Sequence, residues 1–105
     1  MYDIHGTYTI EAAKTQTEEK DAWLEVVVTD KQEAMSKKQT PYVRLYVSDG
    51  VQNALILIFS RELERIDKSH LAVGTGIGLF VEYDKMRGTF VAARNQNTVR
   101  LERRI

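Results

Sequence analysis

Residues 41–50 read P-Y-V-R-L-Y-V-S-D-G. Val43, Leu45 and Val47 alternate with Tyr42, Arg44, Tyr46 and Ser48. A period of two is the pattern of a β-strand with one buried face and one outer face. Pro41 is tolerated at the first position of such a strand, where no ladder donor is required. Asp49-Gly50 then supplies a tight-turn signal. The next residues, 52–59, are almost wholly apolar and form a second strand. Together the two strands predict a hairpin, with Ala54, Ile56 and Ile58 inward and Leu55 and Leu57 outward.

On the N-terminal side, residues 23–29 (W-L-E-V-V-V-T) are rich in β-branched and aromatic residues and predict a central strand. Trp23 is expected to pack in the core or at its rim. The polar run 30–40 reads as a connection ending in the basic pair Lys37 and Lys38. Residues 1–22 are expected to be a lead-in to a domain spanning residues 23–105. They offer a short strand near Thr7 and Tyr8, a polar helix turn or loop after it, and a lone His5 with no partners for a metal site.

On the C-terminal side, residues 60–71 switch to helical spacing. Ser60 is placed to cap, Glu62 lies in the first turn, Leu63 and Ile66 are apolar, and Lys68 and His70 come near the end. The glycines at 74, 76 and 78 do not fit a phosphate loop, which needs a strand before it and a helix after it. Here the order is reversed, so they are expected to relieve crowding or permit a bend where a strand enters the sheet. Residues 79–83 and 89–93 predict a second hairpin whose connection carries Lys85, Arg87 and Gly88. Arg94 follows, and then a basic tail.

At 105 residues, 43% hydrophobic and 29% charged, the chain is long enough for one domain with a modest core, and it is not of disordered composition. It contains no cysteine, which removes disulfides, thiolate metal sites and a cysteine nucleophile and is compatible with a reducing cytoplasm. No signal peptide is legible at residues 1–10, and no apolar run is long enough to span a bilayer. The formal charge of zero hides an asymmetry. Residues 1–34 hold three lysines against eight acids, giving −5; residues 35–105 hold twelve lysines and arginines against seven acids, giving +5. A two-signed surface is ordinary, and position decides whether the cations form a patch.

The predicted order is three strands, a short helix and two strands. An all-β chain with one helix between its third and fourth strands has the plan of an OB-fold, a five-stranded, partly open Greek-key barrel. Barrels of this plan bind along strands two and three, flanked by the connections between strands one and two and between strands four and five. The strand at 41–48 would be the second, and its outer face carries two tyrosines around an arginine. Bases stack on aromatic rings and guanidinium planes, and arginine pairs with phosphate. Lys37, Lys38, Tyr42, Arg44, Tyr46, Lys85, Arg87 and Arg94 are therefore the candidate nucleic-acid-binding residues.

The stretch 36–60, S-K-K-Q-T-P-Y-V-R-L-Y-V-S-D-G-V-Q-N-A-L-I-L-I-F-S, resembles the OB domain of bacterial DNA polymerase III alpha subunits. The shared features are a basic loop, an aromatic-containing strand, Asp-Gly, an apolar strand ending in Phe and a short helix. G-L-F-V-E-Y-D at 78–84 is similar to that domain's fourth strand. The resemblance covers roughly residues 24–94 and implies a non-catalytic module contacting single-stranded DNA near a replication polymerase. The residues alone leave two other partners open. RNA offers the same π-faces, and tyrosine and arginine also serve protein interfaces. No cofactor or membrane partner is expected. Catalysis is not expected either, because no nucleophile–base pair or metal-ligand cluster is legible.

Overall fold

The computed structural model describes residues 7–15, 21–93 and 98–101. Among the described residues seven strands form one sheet: β1 (Thr7–Tyr8), β2 (Ala22–Met35), β3 (Pro41–Ser48), β4 (Asn53–Phe59), β5 (Gly76–Asp84), β6 (Thr89–Ala92) and β7 (Val99–Arg100). Helix α1 (Ile10–Thr15) precedes β2. The short helix α2 (Ser60–Leu63) and a 3₁₀ turn (Lys68–Leu71) lie between β4 and β5. The order β2-β3-β4-β6-β5 closes on itself because β2 also pairs with β5. The closing contact between β4 and β6 is parallel, and every other pairing within the ring is antiparallel. This is a closed five-stranded barrel of OB type, with β1 and β7 as two-residue additions at its sides.

Strand β2 runs further than its composition indicates. The expected polar connection at 30–40 is strand as far as Met35, and the turn proper begins at Ser36. A β-bulge between Val28 and Asp30 explains the change of character. Before it, Ala22, Leu24, Val26 and Val28 are buried; beyond it, Asp30, Gln32 and Ala34 face outward opposite Tyr46, Arg44 and Tyr42. The extra residue inverts which face each position meets. One strand therefore pairs with β5 through its first half and with β3 through its second, which closes the barrel.

The interior is a single cluster. Leu24, Val26, Leu45, Val47, Ile56, Ile58, Ile77, Leu79 and Val81 are fully buried, and Phe90 packs edge-to-face on Tyr83 at 5.0 Å. Each such side chain contributes about 1.5–3 kcal/mol on burial. Ile10 and Ala13 of α1 are part of the same cluster, so this helix closes one end of the barrel. Gly78 meets the expectation of relieved crowding: a Cβ there would collide with the Trp23 ring. Trp23 is half-buried on the outer surface, edge-to-face with Phe80 at 4.8 Å, and its Nε1 donates to Glu25 Oε2 at 3.0 Å.

The predicted helix over 60–71 is instead two short pieces. Ser60 is the first helical residue rather than the cap, and Phe59, which precedes it, makes no side-chain capping bond. Asp67 interrupts the helix. Its backbone is extended, and its carboxylate accepts from the Ser69 backbone N–H at 3.0 Å and from the Ser69 hydroxyl at 2.8 Å, capping the 3₁₀ turn. Local side-chain bonding of this kind competes with helix continuation. His70, expected at a helix end, lies in that turn, and its Nδ1 is 2.7 Å from Thr98 Oγ1. No described helix is long and apolar enough to cross a membrane.

Candidate functional site

The hairpin of β3 and β4 sets the outer face row by row. Tyr42 stands opposite Phe59, Arg44 opposite Leu57, Tyr46 opposite Leu55 and Ser48 opposite Asn53. Arg44 is exposed, whereas both tyrosines and both leucines are half-buried. Tyr42 and Phe59 lean together with ring centroids 5.9 Å apart. The sequence pattern thus yields a surface with apolar bodies at its floor and a guanidinium in its middle.

The connection between β5 and β6 folds over one side of this surface. Asp84 organises the turn: its Oδ1 accepts from Met86 N at 3.0 Å and Arg87 N at 3.3 Å, and its Oδ2 lies 3.4 Å from Arg87 Nε. Gly88 adopts φ +68°, a left-handed conformation suited to glycine, and donates to the Asp84 carbonyl at 2.8 Å. The turn delivers the Arg87 guanidinium over the Phe59 ring, 5.4 Å from its centroid. That geometry is a cation–π contact. Thr89 Oγ1 donates to the Leu55 carbonyl at 2.7 Å, which ties the turn to β4.

A cleft of about 480 Å³ lies between the β3–β4 face and this turn. Tyr42, Arg44, Leu57, Tyr83 and Arg87 line it, with Lys14 of α1 at its margin. The structure therefore brings Tyr42, Arg44 and Arg87 together. Tyr46 continues the same face but stands outside the cleft. Lys85 lines an adjoining cleft, and Lys37 and Lys38 are exposed in the turn before β3 and line none of the clefts described. Arg94 lies outside the described residues, as do His5 and the tail arginines Arg103 and Arg104. Lys14, Tyr83 and Phe59 were not anticipated. Phe59 shares the outward parity of Leu55 and Leu57, so its position is legible from the period of two. Lys14 reaches the cleft only through the packing of α1, for which the sequence carries no signal.

At the far end of the hairpin, Asp49 joins the face to α1. Its Oδ1 accepts from Gln52 N at 2.8 Å and Val51 N at 2.9 Å, and its Oδ2 accepts from Ile10 N at 2.9 Å. Burial pushes the Asp49 carboxyl up, but the N–H donors of Gln52, Ile10 and Val51, with its own amide, outweigh it and hold the group below its ordinary value. Gln52 Nε2 also donates to Glu11 Oε1 at 2.9 Å. Among the described residues no group of three or more His, Cys, Asp or Glu side chains is arranged to hold a metal ion.

This arrangement defines an OB-type barrel with an open cleft on its β3–β4 face. No family model matches the sequence, and no curated protein matches it significantly. Among solved structures the chain is similar to the p204 HINb domain, with a TM-score of 0.64 and 13% identity over 92% of this chain. It spans 48% of that structure's chain, about half its length. At that identity the likeness is one of fold.

Proposed function

We propose that this chain is a non-catalytic module that binds single-stranded nucleic acid, DNA first, in the cleft on the outer face of β3 and β4. One observation carries the proposal: a single open cleft gathers Tyr42, Arg44 and Arg87 around an apolar floor that includes Leu57. Bases stack on aromatic and guanidinium planes without regard to sequence, while cations follow the phosphates. Tyr46 extends the stacking row. Lys37 and Lys38 in the turn before β3, Lys85 in the adjoining cleft and Arg94 join the candidate set as cations for the backbone, the lysines of the turn and Arg94 on their place in the sequence alone. In this reading residues 23–105 are the binding module and residues 1–22 its lead-in, of which Ile10 and Ala13 join the barrel core. The resemblance of residues 36–60 to the polymerase III alpha OB domain supports a place beside a DNA replication polymerase.

Fluorescence anisotropy with labelled oligo-dT at about 50 and 200 mM salt tests this. Affinity should be micromolar or tighter at the lower salt and weaken at the higher. Arg44→Ala and Arg87→Ala should each reduce the slope of log affinity against log salt by about 0.7. Millimolar binding, or affinity indifferent to salt, contradicts the proposal. Competition with a matched RNA oligomer assigns the sugar, since discrimination rests on the 2′-hydroxyl. A second function has one observation in its favour: the half-buried leucines beside Tyr42 and Tyr46 also suit a protein partner. A Tyr46→Ala variant that loses such a partner while keeping oligo-dT affinity separates the two.

A further inference from the structure

The clefts of the barrel differ in the charge of their walls. One of about 210 Å³, between the β2–β3 hairpin and the helical segment 60–71, sets Lys31 and Lys68 against Glu33 and Glu64. Another of about 720 Å³, beside the β5–β6 turn, sets Arg61, Lys85 and Arg87 against Glu62, Glu82 and Asp84. The β3–β4 cleft has Lys14, Arg44 and Arg87 in its wall and, among the described residues, no acid. The chain holds 15 acids and 15 lysines and arginines, so this wall departs from its even balance. Like charges gathered in one cleft repel one another, and a bound polyanion relieves that repulsion.

The three cations come from elements placed along β4. Arg87 lies over the ring of Phe59 at one end, and Arg44 stands opposite Leu57. Lys14 belongs to α1, which is fixed beside the other end. There Asp49 Oδ2 accepts from Ile10 N at 2.9 Å, and Gln52 Nε2 donates to Glu11 Oε1 at 2.9 Å. Lys14 is exposed and shares the cleft with Asn53 and Ala54. From Asn53 to Phe59 the strand extends about 20 Å at ~3.3 Å per residue. Cations distributed over such a length suit the successive phosphates of a strand rather than one phosphate group.

We infer that α1 forms a third wall of the nucleic-acid cleft and that Lys14 pairs with a backbone phosphate of the bound strand. The inference rests on the nucleic-acid proposal above and gives the N-terminal segment a binding role within it. An ammonium is a compact point charge with rotatable donors, so it follows the backbone without reading a base. Arg87 has its Nε 3.4 Å from Asp84, and a guanidinium carries further N–H donors for the strand.

The test measures oligo-dT affinity by anisotropy at about 50 and 200 mM salt on the intact chain. It compares the native protein with Lys14→Gln, Lys14→Arg and Lys68→Gln. One lost phosphate contact lowers the salt slope by about 0.7, so the loss of affinity between the two salts should be about 2.5-fold smaller for Lys14→Gln. Lys14→Arg should keep the native slope. Lys68→Gln removes the same charge from another cleft and should leave the slope unchanged. A native slope in Lys14→Gln, an equal decrease in Lys68→Gln, or a decrease that Lys14→Arg shares overturns the inference. If the native chain binds and Lys14→Gln matches it, only the role of α1 falls; if the native chain does not bind, the nucleic-acid proposal falls with it.

Discussion

The Asp49 carboxylate closes the β3–β4 turn through one oxygen and holds the first N–H of α1 through the other. Its role in the turn follows from the Asp-Gly signal, because a short carboxylate readily bonds backbone two residues on. Its bond to Ile10, 39 residues away in sequence, has no local signature and emerges only from the closed barrel. Asp49→Asn replaces an acceptor with a donor facing one of these N–H groups, and should cost about 1–2 kcal/mol in urea denaturation at neutral pH. The folded carboxyl titrates below its unfolded value of 3.8. Its stabilisation is therefore complete above that value and is lost as pH falls through the lower, folded pKa. The stability difference between native chain and variant should narrow over that acid interval. A constant difference down to the acid limit would show that Asp49 acts by packing rather than by charge.

The elements divide according to how locally they are determined. Strands β3 and β4 were legible because Val43, Leu45 and Val47 alternate strictly and Asp49-Gly50 marks the turn; the register then placed Arg44 among aromatic and aliphatic neighbours as expected. The second half of β2 was hidden because the bulge at Thr29 inverts its faces, so Asp30 and Gln32 look like loop residues when read in one phase. The helix at 60–71 was overextended because the Asp67–Ser69 bonds, which interrupt it, depend on local geometry that composition does not carry. Helix α1 was the least legible element, since it is only six residues long and Ile10 is the one large apolar side chain in it. Ile10→Ala should nevertheless behave as a core substitution and cost about 2–5 kcal/mol by chemical denaturation. A loss below about 0.5 kcal/mol, the range of surface changes, would mean that α1 does not close the barrel.

At the scale of the whole molecule, strand order carried more information than any single motif. Three strands, a helix and a hairpin are enough to name the barrel, and closure brings the β3 face and the β5–β6 turn, distant in sequence, to one cleft. Three of the candidate residues meet there, while Lys37 and Lys38, in the turn that follows the long β2, are absent from its lining. The formal charge of zero therefore conceals a local arrangement in which Arg44, Arg87 and Lys14 border one open surface. Amide chemical-shift mapping of the labelled chain with oligo-dT addresses that surface directly. Shifts are predicted to concentrate on residues 42–48, 53–59 and 84–89, and to leave the Trp23–Phe80 side of the barrel unmoved. Shifts confined to the Trp23–Phe80 side, or none at saturating oligomer, would contradict the assignment of the β3–β4 face as the binding surface.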